Sequence, residues 1–62
     1  MGVPPLKYMI TKRITLAKEL LSTTDLSVDE IALKCGYSDV TYFIKVFKKA
    51  EGITPIEYKK QL

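Results

Sequence analysis

Residues Ile31–Phe47 read IALKCGYSDVTYFIKVF, a pattern that predicts a helix, a tight turn and a second helix. Gly36 lies where a residue with positive φ would end the first helix, because glycine lacks the Cβ that makes this conformation costly. Ser38 or Asp39 can then accept hydrogen bonds from the free amides of the next helix. The stretch therefore predicts a helix-turn-helix, with its turn centred on residues 36–39 and its second helix over about residues 39–50.

The second of these helices has two faces of opposite character when its residues are placed at 100° intervals. One face is an apolar stripe that we expect to pack in the core: Phe43, Val46, Phe47 and Ala50. The roughly opposite stripe holds Thr41, Ile44, Lys45 and Lys48. Core packing accounts for the first stripe, so any function is expected on the second.

Upstream of this unit, the sequence predicts one long amphipathic helix over about residues 3–22. Pro4 and Pro5 can open it, since proline is tolerated in the first turn of a helix. Its apolar positions recur at steps of three and four: Leu6, Met9, Ile10, Ile14, Ala17, Leu20 and Leu21. Lys12, Arg13 and Lys18 are interpreted as exposed surface charges. Met1 and Gly2 are expected to be left over from cloning.

Two capping boxes mark the starts of shorter helices. Residues 27–30 read SVDE and residues 54–57 read TPIE, so that a hydroxyl and a glutamate can satisfy each other's free amides. The first box predicts a short helix that turns Val28, Ile31, Ala32 and Cys35 inward. Gly52 is expected to close the helix before the second box. The last helix should run to about Lys60, with Ile53, Ile56 and Tyr58 packing it against the core.

The composition describes one small globular domain and excludes several kinds of function. The chain has 62 residues, of which 47% are hydrophobic and 27% charged. With no histidine and one cysteine it has no metal ligand set and no internal disulfide, and we expect no cofactor. Cys35 is expected to be buried and unreactive. No serine or cysteine has a base partner and no glycine-rich loop is present, so we do not expect an enzyme.

The charge is mildly basic and unevenly placed. The net charge is +3. After Val40 the chain has five lysines (Lys45, Lys48, Lys49, Lys59 and Lys60) against Glu51 and Glu57. This bias permits a polyanion partner, although a solvated helix surface would show it too. No apolar run approaches the roughly 20 residues that span a bilayer, so we expect no membrane partner and a cytoplasmic location.

The C-terminal sequence GYSDVTYFIKVFKKAEGITPIEYKK, residues 36–60, resembles the signature of the AraC/XylS-type transcription regulators. The shared elements are a Gly-aromatic turn, a Tyr-Phe pair, Phe-Lys, Gly-x-Thr-Pro and a following Tyr. Upstream positions agree as well: Arg13, Ile14, Ala17, Leu20, Leu21, Asp25, Val28, Ile31 and Ala32. The resemblance extends over nearly the whole chain from about Pro5.

The resemblance implies an all-α fold: a homeodomain-like three-helix core with a long N-terminal linker helix and a short C-terminal helix. Members of the family bind double-stranded DNA through two helix-turn-helix subdomains joined by a long helix, usually beside an effector or dimerisation domain. Residues 3–62 would be the second subdomain with its linker helix. We therefore expect a fragment of a bacterial regulator, without its first helix-turn-helix and effector domain, that by itself binds DNA weakly and with little specificity.

By the same resemblance, the helix over residues 39–50 would be the recognition helix in a major groove. Its candidate base contacts are Val40, Thr41, Ile44 and Lys45, and candidate phosphate contacts are Ser27, Lys48, Lys49 and Lys59. Relatives commonly have a small polar residue where Ile44 stands and arginines where Lys45 and Lys59 stand. Lysine lacks the bidentate fork of arginine, so weaker discrimination between sequences is expected.

A helical protein-interaction module is the alternative interpretation. In this hypothesis Thr41, Tyr42, Ile44 and Lys45 form a docking face for a partner such as RNA polymerase or a neighbouring subunit. Ile44 favours it, because an isoleucine exposed on a polar stripe would suit an apolar contact. Charge reversal at Lys45 and Lys48 should distinguish the two hypotheses.

Overall fold

The computed structural model describes residues 5–62, which form four helices. They are α1 (Pro5–Thr23), α2 (Val28–Lys34), α3 (Val40–Glu51) and α4 (Pro55–Lys60). No strand occurs in this described range, and the all-α prediction is confirmed. The expectations for residues 1–2, for Pro4 and for the packing of Leu6 concern positions or side chains outside the described part.

Both predicted capping boxes are present and begin the two shorter helices. The amide of Glu30 donates to Ser27 Oγ at 3.2 Å, and the amide of Ser27 donates to Glu30 Oε1 at 3.2 Å. At α4 the amide of Glu57 donates to Thr54 Oγ1 at 3.2 Å, and the amide of Thr54 donates to Glu57 Oε1 at 2.9 Å. Each box satisfies amides that would otherwise lack a partner inside the helix.

Two glycines with positive φ set the turns on either side of α3. Gly36 has φ 95° and follows α2, while Gly52 has φ 85° and ends α3. All other residues of the described chain have negative φ. The predicted roles of both glycines as helix terminators are confirmed.

One core joins α1, α2, α3 and the turn between α2 and α3. Its buried members are Ile14, Ala17, Leu21, Ile31, Ala32, Cys35, Tyr37, Phe43 and Phe47. Phe43 and Phe47 are fully buried, with ring centroids 6.0 Å apart. Tyr58 of α4 packs edge-on against Phe47 with a centroid separation of 5.8 Å. Aromatic packing of this kind holds α4 against the back of α3.

Three apolar residues that were expected in the core are exposed instead. Met9 retains 46% of its accessible surface, Ile56 retains 54%, and Ala50 is also exposed. At 100° per residue Met9 lies about 100° around the axis of α1 from Ile10, at the edge of the stripe that packs against the core. In α4 it is Pro55, not Ile56, that fills the buried position.

Among residues 5–62, no helix has the length and apolarity needed to cross a bilayer.

Candidate functional site

The first turn of α3 is capped by the side chain of Asp39. Asp39 Oδ1 accepts hydrogen bonds from the amides of Thr41 at 2.9 Å and of Tyr42 at 3.4 Å. These two residues are thereby fixed at the N-terminal end of the helix with exposed side chains. The opposite end closes at Gly52, whose amide donates to the Lys48 carbonyl at 2.7 Å.

The side of α3 that faces away from Phe43 and Phe47 is polar and basic. Its exposed residues are Thr41, Tyr42, Lys45, Lys48 and Lys49, which we call the α3 outer face. Thr41, Lys45 and Lys48 recur at steps of four and three, so their side chains form one row along the helix. The prediction of a packing face and an exposed polar face on this helix is confirmed.

Val40 and Ile44 lie on the flanks of this face. Both are half-buried and pack against the core cluster. The expectation that Ile44 is exposed on the polar stripe is therefore wrong. At 100° per residue Ile44 is only about 60° from Phe47 around the helix axis, close enough for the core to cover much of its side chain. What Val40 and Ile44 present to solvent is the edge of an apolar side chain beside Thr41 and Lys45.

The acidic residue of α3 pairs with a lysine of α1 and not with the lysines of the outer face. Glu51 is the helix's single acid, and its Oε2 lies 3.3 Å from Lys18 Nζ of α1. This ion pair joins the C-terminal end of α3 to α1, and both side chains are only partly exposed. Lys45, Lys48 and Lys49 consequently give the outer face a positive potential with no acid of the same helix beside them.

The candidate phosphate contacts divide into two groups. Lys48 and Lys49 belong to the last turn of α3, whereas Ser27 and Lys59 line a separate groove with a volume of about 400 Å³. Apolar side chains also line this groove: Leu21, Leu26, Val28 and Ile56. All four candidates are exposed. The Ser27 hydroxyl already takes part in its capping box, donating to Glu30 Oε1 at 3.3 Å.

Hydrogen bonds and nearby lysines stabilise the carboxylate of Glu57 at the start of α4. The amide and hydroxyl of Thr54 both donate to Glu57 Oε1, at 2.9 and 3.1 Å. These hydrogen bonds, with smaller contributions from the charges of Lys48 and Lys60, lower the pKa of Glu57 from its ordinary value of 4.5. The positive charge of Lys48 on the outer face thus favours the ionised form of Glu57.

Sequence reasoning missed the contact between Arg13 and Tyr37. Arg13 was interpreted as a surface charge, yet it is half-buried, and its Cζ lies 5.1 Å from the centroid of the Tyr37 ring. Tyr37 is 6% exposed, and its hydroxyl is buried without a hydrogen-bond partner. The aromatic residue directly after Gly36 was a usable signal for a buried turn. Nothing in the sequence pattern pairs it with a residue of α1.

The described residues offer little for other chemistry. No group of three or more potential metal ligands occurs among residues 5–62. Cys35 is buried, as expected, and burial raises the pKa of its thiol, while the charge of Arg13 acts in the opposite direction. A protonated thiol is a poor nucleophile. The α3 outer face is therefore the strongest candidate for function in this part of the chain.

Comparison with known proteins gives consistent matches over the chain. A family profile described as "Helix-turn-helix domain" matches residues 1–61. The HTH-type transcriptional regulator YisR of Bacillus subtilis is 50% identical over 60 residues, which is 97% of this chain and 21% of that protein. The chain thus spans about a fifth of the length of this relative.

Two solved structures have nearly the same fold. The C-terminal domain of the two-component response regulator yesN from Fusobacterium nucleatum superposes with a TM-score of 0.92 at 47% identity, covering 95% of this chain and 57% of that one. The DNA-binding domain of the global transcriptional factor AdpA, solved in complex with a target DNA, has a TM-score of 0.92 at 36% identity. That match covers 98% of this chain and 55% of the other.

Proposed function

Because the chain belongs to the AraC/XylS-type family of helix-turn-helix transcription regulators, we propose that it binds double-stranded DNA with α3 in a major groove. The observation that carries this proposal is the α3 outer face, a row of exposed polar and basic side chains on a helix whose other side is fixed in the core. The AdpA domain, similar in fold and sequence, was solved on its target DNA, which supports the same use of this chain. Sequence-specific binding as part of a bacterial transcription regulator is the resulting function.

Base contacts would come from the N-terminal half of α3. The Thr41 hydroxyl can donate to or accept from a base edge, and its methyl group can contact thymine. Lys45 can donate to guanine O6 and N7 or to a phosphate. Val40 and Ile44 offer only the exposed edges of apolar side chains, which suit a thymine methyl group. With two apolar positions and a lysine, this helix should discriminate between sequences modestly.

Phosphate contacts would surround this helix on both sides. Lys48 and Lys49 extend the basic row toward the C-terminal end of α3, while Ser27 and Lys59 stand together at the groove between α2 and α4. Phosphate contacts fix the position of a protein on the duplex without reading sequence. We propose that the two groups contact the backbone on either side of the major groove.

The test is a salt titration of duplex binding by the chain and its lysine variants. Each lost phosphate contact should reduce the slope of log affinity against log salt concentration by about 0.9. Lys48→Gln and Lys59→Gln are expected to show this change, whereas Lys45→Gln should also alter the preference among sequences. Lys12→Gln is the matched control, since Lys12 is exposed on the side of α1 that faces away from the core. No binding of wild-type chain to any duplex at low salt would refute the proposal for this chain.

Tyr42 is the observation that favours the second candidate, a protein-interaction module. Tyr42 retains 54% of its accessible surface beside Thr41 and Lys45, which is typical of an aromatic contact to a protein partner. The half-buried state of Ile44 weakens this candidate, because it removes most of the apolar surface on which it depended. Replacing Lys45 and Lys48 by glutamate should abolish duplex binding, while a docking face centred on Tyr42 should tolerate the replacement better.

Further proposals concern the longer regulator of which this chain would be a part. We propose that α1 is a linker helix to a first helix-turn-helix, and that an effector or dimerisation domain and contact with RNA polymerase belong to the whole protein. The yesN C-terminal domain and the AdpA DNA-binding domain are each nearly twice the length that this chain covers, which supports a second reading unit. We also propose a cytoplasmic protein without catalytic activity. One unit alone lacks the avidity of a pair, so the chain should bind weakly.

A further inference from the structure

The guanidinium of Arg13, a residue of α1, lies at the turn between α2 and α3. Its Cζ lies 5.1 Å from the centre of the Tyr37 ring, within the range of a cation–π interaction. Tyr37 is almost completely buried, so the contact is shielded from water on the ring side. Arginine also suits this place because its planar group can stack on an aromatic ring.

The same guanidinium lies against the backbone of the turn. A Cβ placed on Gly36 would meet Arg13 Cζ and Nε at 3.3 Å each. The neighbouring Cys35 thiol feels the Arg13 charge as well. Gly36 and Tyr37, two consecutive residues of the turn, therefore both lie against one side chain that comes from a different helix.

Tyr37 also connects this turn to both neighbouring helices, α2 and α3. The Tyr37 amide donates to the Ala32 carbonyl at 2.9 Å, which ties the turn to α2. On its other side the Tyr37 ring packs against Phe43 and Tyr42 of α3, with centroids 5.5 and 5.8 Å away. A displacement of Tyr37 would consequently be felt by the first turn of α3.

We propose that Arg13 is a positioning residue: it clamps the turn at residues 36–37 against α1 and thereby fixes the first turn of α3. The clamp itself does not depend on DNA binding. Its consequence for recognition rests on the proposed function, since Thr41 lies in the turn that the clamp positions. The face that contacts DNA is then set partly from α1, by a residue that touches no base.

Amide hydrogen exchange on the 62-residue chain tests the clamp without DNA. The reporters are the amides of Gly36 and Tyr37, which donate to Leu33 and Ala32, and the reference is the Tyr58 amide in α4, which donates to Thr54. Arg13→Met keeps an apolar stem but loses the cation. We expect it to speed exchange at the two turn amides about two- to fivefold relative to Tyr58.

Lys12→Met is the matched control. Lys12 Nζ lies 5.3 Å from the Tyr8 ring on the same helix, so this change also removes one charge and one cation–π contact, but away from the turn. The ratio of turn exchange to Tyr58 exchange should stay at its wild-type value in Lys12→Met. Arg13→Lys, which keeps the charge without the planar group, should give an intermediate ratio and replaces Arg13→Met if that variant does not fold. An unchanged ratio in the Arg13 variants, or an equal change in Lys12→Met, would overturn the clamp.

Duplex binding tests the consequence for recognition. A mixed-sequence duplex at low salt should bind Arg13→Met more weakly than Lys12→Met, although each variant lacks one positive charge. Equal weakening would overturn the link to recognition, because it is what loss of charge alone produces. If wild-type chain binds no duplex, the proposed function fails while the exchange experiment still decides the clamp.

Discussion

At the scale of single residues, the cap of α4 depends on two side chains that satisfy each other. Thr54→Ala removes the hydroxyl that accepts from the Glu57 amide, and we expect the free energy of unfolding to fall by about 1 kcal/mol. Urea denaturation followed by circular dichroism measures this loss. Thr15→Ala is the control, since the Thr15 hydroxyl is exposed in mid-helix and donates to the Thr11 carbonyl. Its effect should stay within about 0.5 kcal/mol, and equal losses would contradict the capping role.

The same cap predicts a pH dependence at Glu57. The pKa of Glu57 is lower in the folded chain than its ordinary value of 4.5, so its carboxylate contributes stability above that pH. This contribution is lost as the pH falls through the folded pKa and the group becomes protonated in both states. Glu57→Gln, which does not titrate, should be less stable than wild type at neutral pH. The difference should shrink below pH 4.5, and a constant difference down to acid pH would be inconsistent with it.

The sequence predicted which side chains form the site better than it predicted how exposed those side chains are. Thr41 and Lys45 were assigned to the outer face from helical periodicity alone, and both are exposed. Periodicity gives the direction of a side chain but not the width of the sector that neighbouring helices cover. Ile44 therefore came out half-buried, and Arg13 proved to contact a turn 24 positions away from it at Tyr37. Contacts of such separation depend on the packing of whole helices, which local pattern does not encode.

At the scale of elements, Gly36 and Gly52 flank α3 and can be compared directly by substitution. Both have positive φ, but a Cβ on Gly36 would press on Arg13, whereas a Cβ on Gly52 would meet no atom within 4 Å. Gly52→Ala should cost about 1–2 kcal/mol for the left-handed conformation alone. Gly36→Ala should cost more, because the crowding of the guanidinium adds to the same backbone penalty. Thermal or urea unfolding of the two variants gives the comparison, and equal losses would mean that Arg13 moves aside freely.

Element boundaries were the part of the fold that the sequence predicted best. The capping boxes at Ser27 and Thr54 and the glycines at 36 and 52 act through bonds within four residues, so they can be identified locally. The apolar residues of α4 were harder, since a six-residue helix is too short for periodicity to decide between Pro55 and Ile56. The buried residue is the one that also begins the helix.

At the scale of the whole molecule, one core supports every helix. Stability of about 0.05–0.15 kcal/mol per residue corresponds to roughly 3–9 kcal/mol for a chain of this length. Phe47 is fully buried and packs against both Phe43 and Tyr58. Phe47→Ala should cost about 3–5 kcal/mol, which is comparable to the total.

We therefore expect Phe47→Ala to lose helical structure in all elements together at a temperature where wild type is folded. Far-ultraviolet circular dichroism against temperature would measure it. Leu33→Ala is the control, because Leu33 is 63% exposed and its truncation removes a large apolar side chain from outside the core. A melting temperature for Phe47→Ala close to that of Leu33→Ala would show that the core is not the source of cooperativity.

The burial of Cys35 has a consequence for measuring the molecule itself. It is the single thiol of the chain, it lies in the core beside the turn, and burial raises its pKa, so a thiol reagent reaches a reactive thiolate only when this region opens. The rate of its chemical labelling then reports how readily this region opens, without an added probe. Cys35 is therefore a built-in probe of local opening at the α2–α3 turn.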